Sequence, residues 1–250
     1  MKTILMPLPS SDFDPTESAV PWSILSAHGH HVIFATPDGK PGQADPRMVH
    51  GTGLGLLAPM LRADANGQAA HARMIASKGF FHPIPYAEIV VANFHGLLLT
   101  GGHAQGMKPY LESSILQKVV ADFFIAKKPV GAICHGVVLA ARSKLPSGVS
   151  VLYGKKTTAL TQQMELSAWA LTCLWLKNYY RTYPQTVQAE VRAALAKPGD
   201  FVVGPMNTTR DSVDNLDIGF TVQDGKYLSA RWPGDAHRFA TEFAAMLVKS

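Results

Sequence analysis

The stretch Val130-Gly-Ala-Ile-Cys-His-Gly136 carries the reading of this chain. Pro129 to Ile133 is a short apolar run of strand length. Gly136 to Ser143 is a second apolar run, of helical character, and it starts directly after the Cys134-His135 pair. A strand, then Cys-His-Gly, then a helix is the layout of a nucleophile elbow, in which a sharp turn exposes one side chain at the carboxyl end of a sheet. Open α/β sheets keep their sites at that end. A helix N-terminus beside Cys134 favours thiolate over thiol, and the thiolate is the nucleophile. Gly131 and Gly136 leave room for close backbone approach.

Upstream of the elbow, Ser114–Ala126 predicts a helix, and Gly96–Thr100 an unbroken apolar strand of the kind buried in parallel sheets. Gly101-Gly102-His103 follows that strand, one helix and one strand before the elbow, where backbone N–H groups can face a reacting oxyanion. At the start of the chain, Thr3–Leu8 predicts a strand and Thr16–His28 a helix, with Asp14 as N-cap, Pro15 at the first helical position and Gly29 as the stop. His31–Thr36 predicts the next strand, closed by Pro37-Asp-Gly39. This β-α-β start favours a mostly parallel sheet with helices on both faces. Glu17, near the start of the first helix, is thereby brought toward the elbow. A buried carboxyl there shares a proton with the thiolate or acts as a general base.

Residues 40–85 are rich in Gly and Pro and read as a small inserted cap, with a helix over Gly67–Lys78. Beyond the elbow, Leu152–Leu160 predicts a strand, and Glu165–Asn178 and Thr186–Ala196 predict helices, the latter stopped by Lys197-Pro-Gly199. Phe201–Val203, Gly219–Val222 and Tyr227–Ala230 read as strands, with Asp224-Gly225 as a hairpin turn, and His237–Val248 as a closing helix. The whole chain, residues 1–250, reads as one domain with insertions around 40–85 and 166–198.

The 250 residues are 47% hydrophobic and 16% charged, a composition that excludes a disordered chain. The net charge of +5 comes without a basic run, which argues against a nucleic-acid partner. Two cysteines, Cys134 and Cys173, cannot build a disulfide framework. No stretch has the length of a membrane span and no signal peptide is apparent, so a cytoplasmic protein in a reducing compartment is expected. The histidines at 28, 30 and 31 have no carboxylate at ligand spacing, and no metal site is expected.

The order Glu17-Ser-Ala-Val-Pro21, strand-Gly101-Gly-His103, then Ala132-Ile-Cys-His-Gly136, with Asp224-Gly-Lys-Tyr-Leu-Ser-Ala-Arg-Trp-Pro-Gly234 near the end, resembles the ThiJ/PfpI superfamily. The long 40–85 segment and Thr158–Glu165 resemble its heat-shock chaperone and glyoxalase III branch. The resemblance implies a flavodoxin-like sandwich of the class I glutamine amidotransferase type and a homodimer. It implies a cofactor-free reaction on a small reactive carbonyl such as methylglyoxal. Cys134 would add to the aldehyde, Glu17 would move protons, and Glu165 would orient His135. Amides of Gly102 and of the residue after Cys134 would hold the oxyanion, with Gly101, His103 and Gly136 around it. The same elbow also serves a cysteine amidase or peptidase, and the family also contains stress chaperones and redox sensors. The aromatic residues Trp169, Trp175, Tyr179, Tyr180 and Tyr183 line a pocket, a dimer interface or ordinary core. His237 is the sole late histidine in the range where amidotransferases carry theirs, but it lacks the His-Pro-Glu context.

Overall fold

The computed structural model describes residues 1–206 and 208–249. Seven strands form one sheet in the order β3-β2-β1-β4-β5-β7-β6. These are β1 (Thr3–Pro7), β2 (His31–Thr36), β3 (Ile84–Pro85), β4 (Gly96–Leu99), β5 (Val130–Ile133), β6 (Thr221–Asp224) and β7 (Tyr227–Ala230). All neighbouring strands run parallel except β6, which pairs antiparallel with β7 across the Gly225-Lys226 turn. The expected α/β sandwich with a mostly parallel sheet is therefore present. β4 and β5 are buried along their whole length, as strands covered on both faces must be.

The first helix, Pro15–Ala27, begins as its sequence demands. Asp14 Oδ1 accepts from Thr16 N at 2.8 Å and Glu17 N at 3.0 Å, and Pro15 needs no donor at the first position. The helix Ala65–Ile75 packs against it from the 40–85 segment, capped by Asp64. The helix Gly136–Arg142 leads directly out of β5, and the last helix, Ala236–Val248, covers β5 and β7.

Two expected strands are corrected. Residues 152–160 form turns, with a single bridging residue, Thr157, opposite Phe201. β5 is already flanked by β4 and β7, so no ladder is open to this segment. Its polar groups go instead to β7 side chains: Thr157 Oγ1 meets Tyr227 Oη at 2.9 Å, and Thr158 N donates to Ser229 Oγ at 3.0 Å. Phe201–Val203 contributes only that one bridge. The strand expected over Gly219–Val222 is shifted to Thr221–Asp224. The helix expected from Glu165 starts earlier, at Gln162, because Thr161 Oγ1 accepts from Met164 N and caps it. Among the described residues, no helix is long and apolar enough to cross a membrane.

Candidate active site

Three neighbouring strands, β1, β4 and β5, end at one point. After β5 the chain turns at Cys134 with φ of 56°, the left-handed region, which costs a non-glycine residue about 1–3 kcal/mol. Surrounding bonds hold the turn: Cys134 N donates to the Ala230 carbonyl at 3.1 Å, and Val137 N to the Cys134 carbonyl. Gly101, at the end of β4, leaves the space in which the site is assembled. A Cβ on it would lie 2.5 Å from Glu17 Oε2, 2.8 Å from Cys134 Cβ and 2.9 Å from His135 N. Any side chain at 101 would wedge the carboxyl away from the thiol.

Glu17 is buried, and Oε2 has no hydrogen-bond partner of good geometry. Burial, and then the charge of Asp14, push its pKa well above the carboxylate range, against the pull of the Cys134 thiol and the Gly101 amide. Asp14 is raised to about 6, again by burial. The Cys134 thiol is pushed up by burial and by the charges of Glu17 and Asp14, while the His135 amide pulls it down. The expectation that the helix N-terminus sets the thiol toward thiolate is thus corrected. In this dry corner burial holds the proton on both groups, and the charge of Glu17 further opposes ionisation of Cys134.

His135 Nδ1 stands 3.4 Å from Cys134 Sγ. Its Nε2 stands 3.1 Å from Thr182 Oγ1, whose own proton goes to the His103 carbonyl at 2.5 Å. With its one proton so used, the hydroxyl accepts from Nε2–H, leaving the Nδ1 lone pair toward the sulfur. Burial holds the His135 pKa down at about 3, so the ring is neutral at physiological pH.

Glu165 does not orient this histidine. Its Oε2 accepts from Val187 N at 2.8 Å and its Oε1 pairs with Arg181 Nε at 3.2 Å. The helix start at Gln162 turns Glu165 toward the Val187–Ala193 helix, and Thr182 takes the place beside the ring. His237 is remote from the sulfur: its Nδ1 meets Asp211 Oδ1 at 3.1 Å, and it lines a separate cleft with Ser23 and Ser212. Gly102 and Gly136 pack closely against neighbouring backbone. A Cβ on Gly102 would lie 2.6 Å from the Asp12 carbonyl oxygen, and one on Gly136 2.4 Å from that of Leu99. Neither position has room for a side chain.

Cys134 and Glu17 open into a pocket of about 200 Å³, whose wall includes Asp14, His103 and Glu165. His103 is stacked on Tyr180 at 4.4 Å, and burial lowers its pKa to about 4. The segments read as insertions form much of the rest: Met48, Met60 and Leu61 from one, Ala168, Leu171 and Tyr180 from the other. Arg210 closes the wall beside Trp232, with Nη1 buried and unpaired. Of the five aromatic residues singled out in the sequence, only Tyr180 lines this pocket. Tyr179 donates to Asp45, Tyr183 to Glu112, and Trp175 to the Gly53 carbonyl. Among the described residues, no group of three or more His, Cys, Asp or Glu is placed to hold a metal ion.

Asp14, Thr182 and Arg210 were missed as site residues. Asp14 was legible only as a helix cap, although a cap on a helix that starts at the carboxyl end of β1 must face the same point as Glu17. Thr182 and Arg210 lie in irregular segments, where no periodicity marks a direction.

Residues 8–205 match the sequence model described as ThiJ/PfpI family-like. Among curated proteins, the glutathione-independent glyoxalase hsp3101 of Schizosaccharomyces pombe is 33% identical over 85 residues, which are 33% of this chain and 34% of that protein. The matched part is less than half the length of each curated relative. Among solved structures, the Rapid Encystment Protein 24 kDa of Francisella tularensis superposes with a TM-score of 0.74 at 18% identity, covering 99% of both chains. Glyoxalase III of Candida albicans superposes with a TM-score of 0.66 at 17% identity, covering 98% of this chain and 97% of that one.

Proposed function

The chain belongs to the ThiJ/PfpI-like family, and on that premise we propose that it is a cysteine-dependent, cofactor-free enzyme that converts a small 2-oxoaldehyde such as methylglyoxal into the 2-hydroxy acid. The observation that carries this reading is the buried Glu17 carboxyl packed against the Cys134 elbow, both lining one pocket.

Two bases face the thiol. His135, at about 3, is the weaker, and Glu17, raised above the carboxylate range, is the stronger. Glu17 therefore takes the thiol proton as sulfur attacks the aldehyde carbon, and returns it to the aldehyde oxygen. The product is a hemithioacetal. The Glu17 carboxylate then removes the hydrogen on that carbon as a proton, the electron pair forms an enediolate as the hemithioacetal hydroxyl passes its proton to the former ketone oxygen, and Glu17 returns its proton to the neighbouring carbon, which leaves the thioester. One carbon is oxidised as the other is reduced, so no external oxidant is needed. Water hydrolyses the resulting thioester and restores the thiol. The His135 amide, which already faces the sulfur, stabilises charge there. General base action of this kind contributes about 10²–10⁴-fold.

The test is lactate formation from methylglyoxal without glutathione, wild type beside Cys134→Ala. Lactate from the wild type alone supports the reading; equal lactate from both proteins removes it. A holding-chaperone reading draws on a different feature, the exposed Leu174 and half-exposed Leu171 and Trp175 on the helix Gln162–Leu176. Suppression of aggregation of a client protein would then survive Cys134→Ala. The homodimer and the cytoplasmic location remain part of the proposal, and sedimentation velocity tests the first.

A further inference from the structure

Methylglyoxal leaves most of this pocket unused. It carries one methyl group beyond its two carbonyls, whereas the cavity of about 200 Å³ is many times the roughly 10–15 Å³ that one water needs on the same measure. The wall beyond Cys134 is built from flexible apolar side chains on three separate segments. Met48 and Met60 come from the segment after β2, Met164 and Leu171 from the helix Gln162–Leu176, and Met206 from the loop before β6. Met60, Leu171 and Met206 are each half-exposed at the rim, at 50–53%, and line the mouth of the same cavity. Methionine adapts its shape to different apolar groups and makes favourable contacts with aromatic rings.

The charged groups on the wall argue for an uncharged ligand. Asp14, Glu17 and Glu165 all face this pocket, against one cation among the described residues, Arg210. An anionic carboxylate would meet three carboxyl groups. The unpartnered donors of three lining residues, Arg210 Nη1, Tyr180 Oη and Trp232 Nε1, are themselves buried away from the cavity, so the face that a ligand meets is mostly apolar.

We propose that the substrate is a neutral 2-oxoaldehyde bearing a bulky apolar substituent, an aryl or branched alkyl group, lodged between Met60, Met164, Leu171 and Met206. This rests on the reading of Cys134 and Glu17 as the reacting pair, and goes beyond it in assigning the substituent. Each further methylene buried against the wall is worth about fourfold in kcat/KM.

The experiment compares kcat/KM for phenylglyoxal and methylglyoxal in the wild type and in Leu171→Ser and Met164→Gln. Alongside it, calorimetry measures binding of mandelamide and lactamide, the uncharged amides of the two products, to the same proteins. The expected result is a phenylglyoxal preference of tenfold or more, a matching preference for mandelamide, and a fall in both ratios in either variant. Equal kcat/KM for the two aldehydes, with equal binding of the two amides, overturns the apolar substituent while the thiol chemistry stands. No turnover of either aldehyde, with tighter mandelamide binding lost in Leu171→Ser, removes the parent reaction and keeps the apolar pocket. No turnover and no mandelamide preference overturns both.

Discussion

The Thr182 hydroxyl holds His135 at Nε2, 3.1 Å away, on the opposite side of the ring from the Cys134 sulfur. A threonine from an irregular segment thereby sets the tautomer of the histidine beside the thiol. Thr182→Val removes the acceptor and leaves a buried Nε2–H unpaired, at a cost of about 1–3 kcal/mol. The expected outcome is a loss of roughly tenfold in kcat/KM with the fold retained. Nitrogen NMR of the His135 ring checks it: the wild type carries the proton on Nε2, and the variant shows a mixture. An unchanged tautomer and unchanged kinetics would contradict this role.

Glu17→Gln keeps the shape of the side chain and removes the base. Turnover is expected to fall by about 10²–10⁴-fold. In the wild type the working form of the Glu17–Cys134 pair holds one proton and one negative charge. Because burial raises Glu17 above 4.5, activity falls as pH drops through that raised value, and the acid limb lies above pH 4.5. A pH profile of kcat/KM measures it; an acid limb at or below pH 4.5 would not fit.

Asp14 gives a stability signature. Its folded pKa, about 6, lies above the unfolded value of 3.8. The folded state therefore holds the proton more tightly, and this contribution is complete below pH 3.8 and lost as pH rises through 6. The difference of 2.2 pH units corresponds to about 3 kcal/mol at most. Asp14→Asn keeps the cap acceptor and does not titrate. Denaturant unfolding of the two proteins should show the variant gaining on the wild type between pH 4 and 7, and a constant difference would contradict it.

Much of the fold was legible because its signals are local. The Asp14-Pro15 cap, the Gly225 turn and the all-apolar β4 and β5 each name their own conformation, and the parallel order follows from the βαβ start. The elbow was legible for the same reason, since a strand, one cysteine and a helix in sequence leave Cys134 little choice of position. What escaped is non-local. Residues 152–160 have the apolar content of a strand, but both edges of β5 were already taken. Glu165 stands at a plausible distance in sequence, yet one extra N-terminal turn of helix, capped by Thr161, sends it to Arg181 and Val187. Thr182 and Arg210 depend on how irregular segments cross the sheet end, which no spacing encodes.

The Arg231–Asp235 pair anchors the chain between β7 and the last helix. Both side chains are fully buried, with Arg231 Nε and Nη2 each 2.9 Å from an Asp235 oxygen. Asp235→Ala strands a buried guanidinium and is expected to cost about 3–5 kcal/mol. For a chain of this size that lowers Tm by roughly 6–20 °C. Thermal unfolding reads it directly; a drop of less than a few degrees would contradict the pair's role.

The central claim is that Cys134 bonds covalently to the carbonyl while Glu17 moves the proton. Peptide mass mapping after acid quench of the wild type and of Glu17→Gln at saturating methylglyoxal tests it most directly. The wild type should carry one methylglyoxal equivalent, as the lactoyl thioester, on Cys134 and none on the more exposed Cys173, whereas Glu17→Gln, which lacks the base for both the addition and the carbon proton transfer, should carry none on either. An adduct confined to Cys173, or a Cys134→Ala protein that forms lactate as fast as the wild type, would contradict it.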